Sequence, residues 1–200
     1  MGKSAVFYFI MKGKWIMFHK VTIAGLERHL PLCPLNDELN IAGFVIFGDP
    51  ELTTACAKEL LEKAPEYDYI ITAEAKGIPL AHEMARQNGD EKYVVARKKA
   101  KAYMSGVFEV DVTSITTKGE QKLFLDTVEA DMRKGKRILI VDDVVSTGES
   151  LIALEKLVNA AGGNIVGKMF VLAEGDAADR DDIIYLEKLP LFDKEGNILG

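Results

Sequence analysis

The sequence is short of the features that mark secreted, membrane-spanning or nucleic-acid-coating proteins. Its 200 residues include only two cysteines, Cys33 and Cys56, without metal-ligand spacing. A multi-disulfide framework and a cysteine-based zinc site are excluded, and the pair reads as reduced packing residues of a cytoplasmic protein. No apolar run approaches the roughly 20 residues that cross a bilayer. The most apolar stretch, Ala5 to Met11 (AVFYFIM), stops at Lys12-Gly13-Lys14, and no small-residue cleavage site follows it. No membrane association or secretion is expected. Basic excess is missing too: 25 Lys and Arg against 31 Asp and Glu leave a net charge of −6. That balance argues against nucleic acid as a partner gripped through a broad positive face, so any phosphate chemistry must be local. Neither G-x-G-x-x-G nor G-x-x-x-x-G-K-[ST] occurs, which removes the usual dinucleotide and nucleoside-triphosphate loops. No repeat or low-complexity linker divides the chain.

What is present is enough apolar material, 48% of residues, to fill one substantial core. AVFYFIM-KGK-WIMF fits a hairpin about Gly13, with an upstream extension before a start at Met11 or Met17 as the rival reading. From residue 49 the pattern alternates. Asp49-Pro50 supplies an N-cap and a first-turn proline, and Leu52, Ala55, Cys56, Leu60 and Leu61 form one helical face. Tyr69 to Ala73 reads as a buried strand, Ile78 to Arg86 as a helix, and Tyr93 to Ala96 as a strand again. Residues 102–126 alternate polar and apolar positions, which predicts an antiparallel pair about Lys118-Gly119. Strand 137–141, helix 149–161 closed by Gly162-Gly163, and strand 165–173 complete the series. The fold class is α/β: an open, mainly parallel sheet with helices on both faces, whose ligands lie beyond the carboxyl ends of the strands.

One stretch brings carboxylates to such an end. ILIVDDVVSTGES runs from Ile138 to Ser150. Four aliphatic residues without alternation suit a strand covered on both faces, so Asp142 and Asp143 are expected to emerge at its tip. Val144 and Val145 follow, then Ser146, Thr147 and Gly148 make a turn before a helix that begins at about Glu149. Free backbone N–H groups would there converge with the hydroxyls of Ser146, Thr147 and Ser150 as a receptacle for one phosphate. Asp142 and Asp143 beside it can accept hydrogen bonds from vicinal hydroxyls or hold hydrated magnesium. Phosphate plus diol means a ribose phosphate. Two blander readings compete: the LIVDD that begins response-regulator receiver domains, there near the amino end, and an ordinary strand-turn-helix whose aspartates only cap and solvate.

All thirteen positions of Ile138 to Ser150 resemble the 5-phosphoribosyl pyrophosphate (PRPP) motif of type I phosphoribosyltransferases. Two further stretches follow that family's order. TAEAKGIPLA, residues 72–81, is similar to the pyrophosphate loop of its adenine branch, with Lys76 where that pattern has arginine. Lysine keeps the charge but lacks the bidentate fork. The resemblance implies donor contacts from Glu74, Ala75, Lys76 and Gly77, and a non-proline cis peptide at Ala75-Lys76. ARKKAK, residues 96–101, matches the basic stretch that meets pyrophosphate through Arg97, Lys98 and Lys101 and leads into a flexible lid over 100–119; read alone it is a solvated charge run.

The resemblance implies a purine phosphoribosyltransferase in which Asp142 and Asp143 hold the ribose while Lys76 and Arg97 meet the charge on leaving pyrophosphate. It also implies magnesium as cofactor, held by the two aspartates directly or through water, a homodimer, and a hood formed by residues 1–48 over a core of 49–200. Adenine is the expected base, with a xanthine/guanine phosphoribosyltransferase as the alternative. Hypoxanthine-guanine members usually carry an aspartate where Ser146 stands, and Glu174 could accept from the exocyclic amine of adenine. Phe44, within the segment 41–49, is the expected hood contact to the base. Adenine members also carry a lid glutamate near Thr116 or Thr117, which this sequence lacks, so the proton-handling residue is left open. Some relatives keep the donor site as purine-responsive regulators, usually joined to a DNA-binding domain for which this chain has no room.

Overall fold

A computed structural model describes residues 6–11, 14–113 and 120–199. It opens with strands β1 (Val6–Met11), β2 (Lys14–Ile23), β3 (Leu26–Pro34) and β4 (Asn40–Ala42). Helix α1 (Pro50–Lys63), β5 (Tyr69–Ala73), α2 (Ile78–Asn88) and β6 (Val94–Ala96) follow. Next come β7 (Val107–Thr113), β8 (Glu120–Asp126), the short α3 (Thr127–Asp131), β9 (Arg137–Val145) and α4 (Glu149–Ala160). The chain closes with β10 (Asn164–Glu174), β11 (Ile184–Leu189), β12 (Leu191–Phe192) and β13 (Ile198–Leu199).

The central sheet has five strands in the order β11-β10-β9-β5-β6, every neighbouring pair parallel. The aliphatic run of β9 shows why. Leu139 and Val141 pack in one cluster with Leu52, Cys56 and Leu60 of α1 and Leu80 and Met84 of α2. Ile138 and Ile140 pack in the other with Leu151, Leu154, Leu157 and Val158 of α4. A strand buried on both faces needs apolar residues at every position, and this one has them. Local signals place the helices around it: Asp49 caps α1 by accepting the Leu52 N–H at 3.0 Å, and Gly89 ends α2 in the left-handed region that glycine adopts without cost.

The expected boundaries hold with one change that matters. β9 does not stop at Val141 but runs on to Val145, so Asp142 and Asp143 lie within the strand rather than at its tip. Phe170 and Leu172 of β10 pair with Asp142 and Val144 and extend the parallel ladder past the carboxylates.

A second sheet has six strands in the order β1-β2-β3-β4-β12-β13. Leu191–Phe192 and Ile198–Leu199, in the range the sequence reading gave to the core, complete this sheet from the far end of the chain. The β1-β2 hairpin pairs as anticipated, while its turn residues lie outside the described set. β7 and β8 form the separate antiparallel pair, anchored by Phe124 bridging to Arg97. The turn at Lys118-Gly119, with Thr116 and Thr117, also lies outside the described residues. No helix among them is long and apolar enough to cross a membrane.

Candidate active site

The carboxyl ends of β5, β9 and β10 come together, and the sequence-predicted residues gather there. After Val145 the chain turns through exposed Ser146 and Thr147 to Gly148, at φ +78°, and α4 begins at Glu149. Val144 to Ser150 and Asp142 line one cavity of about 110 Å³, with Phe170, Leu151 and Leu154 as its apolar wall. The N–H groups of the first α4 turn have no partner within the helix, so this cavity meets the positive end of a twelve-residue helix dipole.

The turn from β5 into α2 packs directly on β9. A Cβ added to Gly77 would stand 2.1 Å from Thr72 Oγ1, 2.6 Å from Asp142 Oδ1 and 3.1 Å from Asp142 Cα. Only a residue without a side chain fits that approach. Thr72, fully buried with its hydroxyl unpartnered, is a site residue the sequence reading passed over. The one available signal was a hydroxyl inside the otherwise apolar run YIITA. The cis peptide lies at Glu74-Ala75, one bond earlier than the resemblance implied.

Electrostatics knit the turn to the strand. Lys76 Nζ stands 2.9 Å from Asp143 Oδ2 as an ion pair, although that oxygen lacks an aligned hydrogen bond. Asp143 is only 2% exposed. The Asp142 carboxyl is pushed up to about 7, first by burial and then by the charge of Asp143, with Lys76 opposing. Glu174, at the end of β10, is also raised, by burial against the attraction of Lys76. One lysine therefore sits in the field of three carboxylates contributed by two strands.

The basic stretch is anchored on the turn after β5. Glu74, assigned to the donor, collects it: the Lys98 N–H donates to its carboxylate at 3.1 Å, and Arg97 Nη1 and Lys101 Nζ stand 3.5 and 3.4 Å away. These contacts, led by the Lys98 N–H, hold the Glu74 carboxyl below its ordinary value. Glu74 thus positions cations beside the turn. Phe44 needs correction as well. It is 6% exposed and packed within the core, so it has no face to offer a base, whereas its neighbours Val45 and Phe47 are 57% and 48% exposed. The segment alternates in the fold, with Phe44 and Ile46 buried and Val45 and Phe47 exposed.

Comparisons with known proteins agree with this geometry. Residues 51–192 match the phosphoribosyl transferase domain model. A hypoxanthine/guanine phosphoribosyltransferase of Methanococcus voltae is 36% identical over 138 residues, covering 69% of this chain and 70% of that protein. Its counterpart from Methanothermococcus okinawensis is 37% identical, covering 77% and 84%. A xanthine phosphoribosyltransferase of Exiguobacterium is 33% identical, covering 68% and 70%. Among solved structures, adenine phosphoribosyltransferase from Thermoanaerobacter pseudethanolicus superposes with a TM-score of 0.63 at 22% identity, over 80% of this chain and 95% of that one. The Saccharomyces cerevisiae enzyme complexed with adenine gives 0.57 at 20%, over 85% and 92%. The fold of these structures, the matched domain and the relatives' identity together show that the chain belongs to the phosphoribosyl transferase family, in its purine branch.

Proposed function

We propose that the protein transfers the 5-phosphoribosyl group from PRPP to a ring nitrogen of hypoxanthine or guanine, releasing pyrophosphate and the nucleoside 5′-monophosphate. The observation that carries the donor half is the convergence of the Ser146, Thr147 and Ser150 hydroxyls, the α4 amino end and Asp142 on one small cavity. In this reading the loop holds the 5′-phosphate and Asp142 and Asp143 accept hydrogen bonds from the ribose hydroxyls. Lys76, Arg97, Lys98 and Lys101, with the backbone of Ala75 and Gly77, face the pyrophosphate, where negative charge grows as the C1–O bond breaks. The phosphate anchors the donor far from the reacting carbon, so its binding energy supports orientation there.

Magnesium fits this donor set. Asp142 and Asp143 are hard oxygen ligands, but no cluster of three or more His, Cys, Asp or Glu suited to a metal occurs among the described residues. Two carboxylates would leave most coordination positions to pyrophosphate oxygens and water, as suits this ion. When bound, magnesium supplies charge neutralisation to the leaving group.

For the base, the named relatives that share about a third of this sequence act, by their names, on 6-oxopurines. The polarity of the β10 end is compatible: the Glu174 carboxylate can accept from N1–H, and the neighbouring ammonium of Lys76 can donate to a 6-oxygen. Adenine is the second reading, favoured by Ser146 in place of aspartate and by Glu174 as acceptor for an exocyclic amine. Steady-state kinetics with four purines decide between them. Hypoxanthine or guanine is expected to exceed adenine in kcat/KM by about tenfold or more, since a mismatched polar edge leaves a buried group unpaired. A higher value for adenine would replace the base assignment. PRPP binding without turnover on any purine would instead mark a donor-sensing protein.

The phosphate seat makes its own prediction. Thr147→Val keeps side-chain volume but removes an exposed hydroxyl at the cavity, and should weaken PRPP binding by about tenfold. Unchanged affinity by titration calorimetry would remove Thr147 from the seat.

A further inference from the structure

The phosphate seat has a charge deficit. Val144 to Ser150 include no lysine or arginine, and one carboxylate, Glu149. The helix dipole contributes only about half an elementary charge against a phosphate that carries nearly two. Lys76 is paired to Asp143, and Arg97 and Lys101 stand at Glu74. Tertiary structure brings one more cation to the loop from another part of the chain. Beyond β10 a short 3-10 turn, Gly175–Asp179, leads to Arg180, whose Nη1 lies 3.2 Å from the point where a Cβ on Gly148 would stand.

That guanidinium is held from behind. Its Nε donates to Asp182 Oδ1 at 2.9 Å and its Nη2 to Asp182 Oδ2 at 2.7 Å. Lys168 of β10 donates to the same aspartate and, at 2.7 Å, to Glu155 of α4. A ladder of alternating charges thus runs from the body of α4 back to the loop at its amino end. Two of the three guanidinium nitrogens are committed to Asp182, which aims the third at Gly148. A fork fixed in this way loses little freedom on meeting an anion. The absence of a side chain at 148 also acquires a second reason beside its positive φ, because any Cβ there would crowd Nη1.

We propose that Arg180 is the cationic side chain of the 5′-phosphate seat, reaching the donor phosphate past Gly148. The proposal rests on the donor reading above, and the experiment separates the two. Titration calorimetry on the full chain would use ribose 5-phosphate, which engages the seat and the ribose carboxylates, and magnesium pyrophosphate, which engages neither the seat nor Arg180. Arg180→Ala should weaken ribose 5-phosphate by about tenfold or more, the scale of one hydrogen bond to a charged group, and leave pyrophosphate affinity unchanged. Arg180→Lys keeps a cation for Asp182 but has no second amino group for Gly148, so it should fold normally and show a comparable loss. Wild-type affinity for ribose 5-phosphate in Arg180→Lys, or an equal loss for both ligands in either variant, would overturn the proposal while leaving the donor site standing. If the wild-type protein bound neither PRPP nor ribose 5-phosphate, the donor reading would fall and Arg180 with it.

Discussion

Gly77→Ala is expected to cut turnover by about a hundredfold or more, the cost associated with a displacement near 1 Å at reacting groups. The backbone is not the reason. Gly77 has φ −70° and ψ −13°, which alanine adopts freely. The obstacle is space: the new methyl would enter between Thr72 Oγ1 and Asp142 Oδ1 and approach Asp142 Cα at 3.1 Å. A side chain can rotate, but a Cα in the middle of a five-stranded parallel sheet cannot, so the Ala75-Gly77 turn must lift away from β9. Lifting it moves Lys76 from Asp143 and from the pyrophosphate it is read to meet. Overpacking at a buried contact also costs about 1–3 kcal/mol of stability. Steady-state kinetics together with a thermal melt test this, and a kcat within about threefold of wild type would show that the close approach of turn and strand is not required.

Asp142→Asn should lose activity and gain stability, in a pH-dependent way whose sign follows from the raised carboxyl. Asp142 titrates at about 7 in the fold, against an ordinary 3.8, with burial the larger cause and Asp143 the next. The folded state therefore binds its proton more tightly than the unfolded chain. Stability is full below about pH 4, falls as pH rises between the two values, and stays reduced above pH 7. Asparagine cannot ionise and escapes that penalty. At pH 8 the variant should be more stable by ~2 kcal/mol, or about 4–8 °C in Tm, and the difference should close by pH 4. Turnover at pH 8 should meanwhile drop by about tenfold to a hundredfold, because a charged acceptor for the ribose hydroxyls and magnesium has gone. A variant less stable than wild type at pH 8 would contradict the repulsion between Asp142 and Asp143, and undiminished turnover would contradict the role at the ribose.

The opposed effects in one residue explain why the site sits where it does. Two adjacent carboxylates inside a parallel strand are costly in the fold, and one lysine from the neighbouring turn offsets only part of that cost. The ladder past them, Phe170 with Asp142 and Leu172 with Val144, holds Asp142 at the edge of the cavity lined by Val144 to Ser150, with Asp143 next to it in the strand. Preorganised charge of this kind suits the proposed transfer, in which charge develops on the leaving pyrophosphate.

The sequence by itself determined whatever is encoded among near neighbours. The capped helix at Asp49-Pro50, the unalternating run Ile138 to Val141 and the hydroxyl-rich turn through Gly148 all depend on residues within a few positions of one another. From local patterns of this kind came the α/β class, the strand-turn-helix of 138–150 that is proposed to seat a phosphate, and the antiparallel pair within 102–126. Tertiary structure alone decided the rest, because its determinants are far apart in the chain. The ladder with β10 carried β9 through Asp142 and Asp143, where aliphatic patterning had ended the strand. Sheet order set β5 beside β9, and so set Lys76 on Asp143 and Gly77 against Asp142. Glu74 collected the cations of ARKKAK because β6 lies parallel to β5. Phe44 turned inward while Val45 and Phe47 faced out, since the inner face of that segment is defined only by the core it meets. Pairing of Asn40 with Phe192 recruited the last strands to the six-stranded sheet, and the turn after β10 delivered Arg180 to Gly148, an encounter that no local pattern encodes.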